Sequence, residues 1–125
     1  YDYCNPDADV PVHTSLNHQL AEMQVLYDYS NYLQRPDLAA LADRMLLAIE
    51  DTWPQWIKPD GDLHDCYYGE GVYGRTDYPY LTYNDLFAMQ KTLLARNGAE
   101  NTALRALMES KLRWMTQQGI TGYFK

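Results

Sequence analysis

The chain has 125 residues, 46% of them hydrophobic and 22% charged, a single domain's length with the balance of a globular protein rather than a disordered tail. A net charge of −7 and an isoelectric point near 4.7 argue against a duplex nucleic-acid binder, which needs a basic face to displace phosphate counterions. They argue less strongly against an anionic membrane surface, and no apolar run is long enough to span a bilayer.

Residues 1–13 carry two prolines and three aspartates without an apolar period and read as an extended lead-in. Thr14 or Ser15 then offers an N-cap oxygen to a helix. Its apolar stripe is Leu16, Leu20, Met23, Tyr27 and Ser30, flanked by Leu26 and Leu33. Gln34-Arg35-Pro36-Asp37 breaks it, and Pro36 suits the first turn of a second helix. That helix reads to about Asp51 on a stripe of Leu38, Leu41, Met45 and Ile49, closed by Trp53-Pro54. The short break makes the pair an antiparallel hairpin.

After a long connection the pattern repeats. Thr82 with Asp85 resembles a capping box, and Leu86, Met89, Gln90 and Leu93, with Phe87 and Leu94, define a third helix. Asn97-Gly98 ends it. Asn101 is the expected N-cap of a fourth helix carrying Leu104, Leu107, Met108, Leu112 and Met115 to a stop at Gly119. This order places the start of helix one, the connection, the start of helix three and the tail after Gly119 at one end. The fold class predicted is all-α, two antiparallel hairpins joined by a long aromatic loop. The first residue, Tyr1, and the abrupt end suggest a piece of something longer.

The connection, residues 61–83, holds six of the twelve tyrosines: Tyr67, Tyr68, Tyr73, Tyr78, Tyr80 and Tyr83. It also carries His64, Cys66, Arg75 and the acids Asp62, Asp65, Glu70 and Asp77. Residues 63–68 and 71–73 form either a short hairpin or nothing regular. Connections this rich in side-chain chemistry are more often functional than tethers. Tyrosine rings stack on sugar faces while their hydroxyls bond sugar hydroxyls, although the same rings also pin an irregular segment to helix ends. A tyrosine whose pKa a neighbouring cation lowers can serve as a proton-transfer base.

A glycosidase needs two carboxylates about 5–9 Å apart, and the four loop acids are the candidates. His64 is a candidate base, but Asp62-Leu63-His64-Asp65-Cys66 lacks the paired spacing of a structural zinc site. Arg75, the single cation in the tyrosine cluster, suits a uronate carboxylate. Trp53, Trp56 and Trp114 read as caps on the core. Cys4 and Cys66 allow one disulfide or two unrelated thiols, and a disulfide would favour an extracytoplasmic compartment.

Leu26-Tyr27-Asp28-Tyr29, then Gln34-Arg35-Pro36-Asp37 and a leucine-rich helix, resemble the repeat of (α/α) toroids, the six-hairpin architecture of many carbohydrate-active enzymes. His13-Thr14 followed by Gln19-Leu20 is similar to the H-T-x-x-x-x-Q-L stretch near the C-terminus of glucuronyl C5-epimerases. Those enzymes abstract a proton from a uronate ring carbon and return it on the other face. The resemblance implies a toroid section over residues 1–125, the alternative being a free-standing four-helix bundle. The implied activity is epimerase, lyase or glycoside hydrolase on a polysaccharide or uronate-containing glycan. His64, Tyr67, Tyr73 and Glu70 would be catalytic, and His13, Tyr68, Arg75, Tyr78 and Tyr80 would bind substrate. No metal or cofactor is expected. The alternative is a non-catalytic module recognising a glycan or protein through the tyrosine-rich segment. A toroid section would also expose apolar helix faces and self-associate.

Overall fold

A computed structural model describes residues 13–125. A two-residue strand, β1 (Thr14–Ser15), runs into helix α1 (Leu16–Leu33), followed by α2 (Pro36–Trp56). Strands β2 (His64–Gly69) and β3 (Val72–Thr76) occupy the connection, and α3 (Leu81–Asn97) and α4 (Thr102–Gln118) complete the chain. The protein is therefore mostly helical, with one small antiparallel sheet in the order β1-β2-β3. No described helix is long and apolar enough to cross a membrane.

The sheet corrects the all-α expectation. β2 and β3 are rich in the aromatic and β-branched residues that suit strands, and Tyr67 pairs with Tyr73 in an antiparallel register that also aligns Cys66 with Gly74. Gly69 pairs with Val72 across the two-residue turn Glu70-Gly71. Both turn residues have positive φ, 52° and 78°, the condition that a type I′ hairpin turn imposes. Glu70 tolerates this less well than asparagine does. Glu70→Asn is expected to raise folding stability by up to about 1 kcal/mol, read as a higher urea midpoint at constant slope.

The helix ends follow local chemistry. Asn101 caps α4 by accepting from the Leu104 amide at 3.0 Å, and Gly98 and Gly119 close α3 and α4 with φ of 73° and 69°. Three boundary expectations fail. Ser15 occupies the N-cap of α1 but makes no side-chain cap, its backbone belonging to β1. Thr82 is not a cap residue either: it sits inside α3 and donates to Asp77 at 2.5 Å. α2 runs past Pro54 to Trp56, because burying the Trp56 indole holds a last turn in which Ile57 N–H reaches the Pro54 carbonyl.

The core joins Leu16, Leu20, Met23 and Tyr27 of α1 to Leu86, Met89 and Leu93 of α3 and to Leu104, Leu107 and Met115 of α4, each such side chain contributing about 1.5–3 kcal/mol by burial. On α2 the inward stripe is Ala39, Ala42, Leu46 and Ile49; Ile49 is buried as expected, and the other three lie one step along from the expected Leu38, Leu41 and Met45. Leu41 faces outward and Met45 is half-buried. α2 is thus apolar on two faces.

Helix α1 neighbours α2 and α3, and α4 neighbours α2 and α3. Thr92 donates to Gln24 at 2.8 Å, and Arg96 lies over the Tyr27 ring 4.4 Å from its centroid. Residue numbers on α1 and α3 rise together, so these neighbours are parallel. On the other side Asn101 donates to Glu50 and Ser110 to the Gly61 carbonyl, so α4 runs alongside α2 in the same sense. The two hairpins are stacked side by side, like with like, and their long connection collects at one end as the helix order requires.

Candidate functional site

The connection is tied to α4 before it becomes a sheet. Gly61, with φ of +93°, brings its carbonyl within 2.8 Å of Ser110 Oγ. The next residue, Asp62, is fully buried and accepts from Lys111 Nζ at 2.5 Å and from the Leu63 amide at 2.8 Å. Lys111 also lies 2.9 Å from Asp77 Oδ2 and donates to the Tyr78 carbonyl at 2.9 Å. One buried ammonium therefore clasps both ends of the β2–β3 hairpin. Its contact with Asp77 is ionic but poorly directed, and among the described residues Asp62 Oδ2 and Asp77 Oδ2 gain no well-aligned hydrogen bond. Burial pushes the Asp77 carboxyl above the usual carboxylate range, against the pull of Lys111 and Thr82. Asp85 is also raised, by burial and by the Asp77 charge, with His18 opposing.

Held this way, the sheet builds a cluster of rings against the end of α2. Tyr73 stands 4.9 Å from both Trp56 and Tyr67 and 5.9 Å from His64, centroid to centroid. Trp56 is only 3% exposed, which matches its reading as a core cap, and it meets the half-buried Tyr73 edge-on, Tyr73 in turn meeting Tyr67. These three rings close one end of a groove of about 520 Å³ between α1 and α2. Thr14, Gln19, Glu22, Arg44 and Thr52 supply its polar lining. Burial pushes the Tyr73 phenol above its ordinary value despite a hydrogen bond with Thr52, the reverse of the depression that a phenolate base requires.

The expected site residues divide into separate places. Tyr67 and Tyr73 line the groove, with His64 beside them. Glu70 lies exposed at the hairpin tip. Tyr68 covers Gly74, where a Cβ would stand 2.5 Å from the ring, and Tyr68 meets the buried His13 at 5.9 Å. Arg75 adopts φ of 58° and forms a loose 3.9 Å ion pair with Asp65. Tyr78 and Tyr80 are exposed and do not line the groove. Of the four loop acids, Asp62 and Asp77 are held by Lys111. Asp65 is buried and accepts from Cys66 Sγ at 3.2 Å. The Cys4–Cys66 question lies outside the described residues.

Sequence reading missed Lys111, Glu22, Arg44 and Thr52. Lys111 left a signal, since it falls between Leu107 and Met115 on the apolar stripe of α4, where an unpaired lysine is not tolerated. The groove residues left none, because they are ordinary exposed helix positions until the sheet is placed beside them. No protein-family model, curated protein or solved structure matches the chain, and the reading of this site rests on its own geometry.

Proposed function

We propose that the chain is a two-hairpin section of an (α/α) stack of the toroid kind, and that its sheet end binds carbohydrate. Parallel packing of α1 on α3, and of α2 on α4, supports the stack reading. A free-standing up-and-down bundle instead sets antiparallel neighbours around its whole circumference. The observation that carries the binding reading is the ring cluster of Trp56, Tyr67 and Tyr73 opening onto a groove lined by donors and acceptors of both charges. A short oligosaccharide has that character, with apolar ring faces and a polar edge. Among the described lining residues Glu22 is the one carboxylate, and two-carboxylate hydrolysis needs a second. Recognition is therefore the better-supported role for this wall. Arg44 provides the cation that a uronate would meet here.

Isothermal titration with neutral and uronate-containing oligosaccharides tests this reading. Tyr73→Ala is expected to weaken every saccharide that binds by about tenfold, the worth of one stacked ring. Arg44→Ala, on the exposed side of α2, weakens the uronate-containing ligands and spares neutral ones. Tyr78→Ala changes neither. The absence of saturable binding across the panel, or wild-type affinity in a folded Tyr73→Ala protein, sinks the proposal.

A further inference from the structure

The groove does not stop at the sheet. It continues along α1 and α2 as a second cavity of about 480 Å³ lined by Ala21, Glu22, Val25, Leu26, Leu41 and Met45. Val25 is 54% and Leu41 41% exposed, so this face is the outward apolar stripe of α2 together with its counterpart on α1. The far flank of the molecule carries a smaller version. Between α3 and α4 lies a hollow of about 150 Å³ with Phe87 and the 47% exposed Leu94 on its apolar side and Gln90, Lys91, Glu100 and Arg105 on its polar side. A stacked helical unit has two flanks, and burying one against a neighbour leaves the other apolar unless it is polar-capped. Among the described residues both outer flanks keep exposed apolar side chains, Val25 and Leu41 on one and Leu94 on the other, where Phe124 of the tail also packs over Phe87.

We infer that the two flanks are complementary and that the chain associates head to tail, the α3/α4 flank of one copy seating on the α1/α2 flank of the next. The template lies inside the chain, where the inner flank of the first hairpin already takes the second hairpin with like helices parallel. Repeating that step joins an α3/α4 flank to an α1/α2 flank, a heterologous contact that does not close on itself at two copies. Charge supports this orientation. At the register set by Gln24 and Thr92, Lys91 of one copy stands near the level of Glu22 of the next. Helices of this length and width offer roughly 500 Å² per flank, which puts the contact at the low end of specific interfaces and its affinity in the micromolar range.

The inference rests on the hairpin-stack reading but not on saccharide binding, which the titrations above measure separately. Sedimentation velocity of the whole chain across the micromolar range is the test, with Val25→Glu and Leu94→Glu as probes. Both sites are on exposed helix faces, and thermal melts matching wild type establish that each variant folds. Wild type is expected to grow past dimer with concentration, while each variant alone stays monomeric. An equimolar mixture of the two should form a one-to-one dimer, because each contributes the flank that the other has lost. A monomeric wild type overturns the inference, as does a Leu94→Glu protein that still dimerises with itself or a mixture that stays monomeric. Glu22, Leu41 and Met45 line both cavities, so a seated copy covers part of the saccharide groove. The Tyr73 and Arg44 titrations are therefore made in the Leu94→Glu background, which keeps that groove and cannot cover it with another copy.

Discussion

Replacing Lys111 with methionine is expected to lower folding stability by about 3–5 kcal/mol at neutral pH. The side chain is fully buried, as is Asp62, and Asp77 is 6% exposed. Methionine fills similar volume, so the loss is electrostatic: two carboxylates remain in a dry site with no counter-charge. The pH dependence follows from Asp77, whose carboxyl is already raised above the usual range by burial and loses a lowering influence when Lys111 goes. A carboxyl with a raised folded pKa binds its proton more tightly in the folded than in the unfolded chain. Its share of stability is full below the unfolded pKa and falls away as pH rises through the folded one. The deficit of the variant should therefore be largest at neutral pH and shrink on acidification towards about pH 5. Urea unfolding at both values checks this, and a deficit that grows on acidification would contradict the buried-pair account. Replacing all three residues, as Asp62→Asn, Asp77→Asn and Lys111→Met, should recover most of the loss, because no buried charge is left behind.

The same clasp explains what could and could not be read from the chain. Helices α1, α3 and α4 were legible because leucine and methionine recur at helical spacing and Gly98, Asn101 and Gly119 punctuate them. The gathering of the connection at one end was legible too, since two short turns leave no other arrangement. The phase of α2 was not. It carries apolar residues on two faces, and periodicity alone cannot say whether Leu41 or Leu46 faces the core. The β2–β3 hairpin was one of the two readings open for the connection, but the strand that completes the sheet was hidden for another reason. β1 is two residues long and pairs with a strand some fifty positions away, a contact with no local signature. Of the candidate site, the tyrosines were visible as a composition and their division was not. Tyr67 and Tyr73 are a cross-strand pair only once the turn at Glu70-Gly71 fixes the register. Tyr68, one position along, packs over Gly74 and meets His13.

At the other end of the molecule Tyr27 is expected to prove the most sensitive aromatic residue, with Tyr27→Ala costing about 3–5 kcal/mol. It is 0% exposed and joins three helices. From α1 its hydroxyl donates to Asp43 of α2 at 2.7 Å, and Arg96 of α3 lies over its ring at 4.4 Å. Alanine removes the ring from the core and both polar contacts together. Tyr27→Phe separates the terms, keeping the ring and the cation above it while losing one hydrogen bond to the exposed Asp43, at a cost of about 1 kcal/mol. Burial and the Asp43 contact push the Tyr27 phenol upward, so it stays protonated through the neutral range and the Phe deficit should not vary with pH there. Denaturation midpoints at unchanged slope measure both variants. Tyr27 lies on the helical scaffold, away from the ring cluster at the sheet, so Tyr27→Phe should leave the saccharide titration as in wild type. A Tyr27→Phe protein that loses saccharide affinity while remaining stable would mean that the two ends of the hairpin stack are coupled, and that the groove depends on how the hairpins pack as well as on the residues lining it.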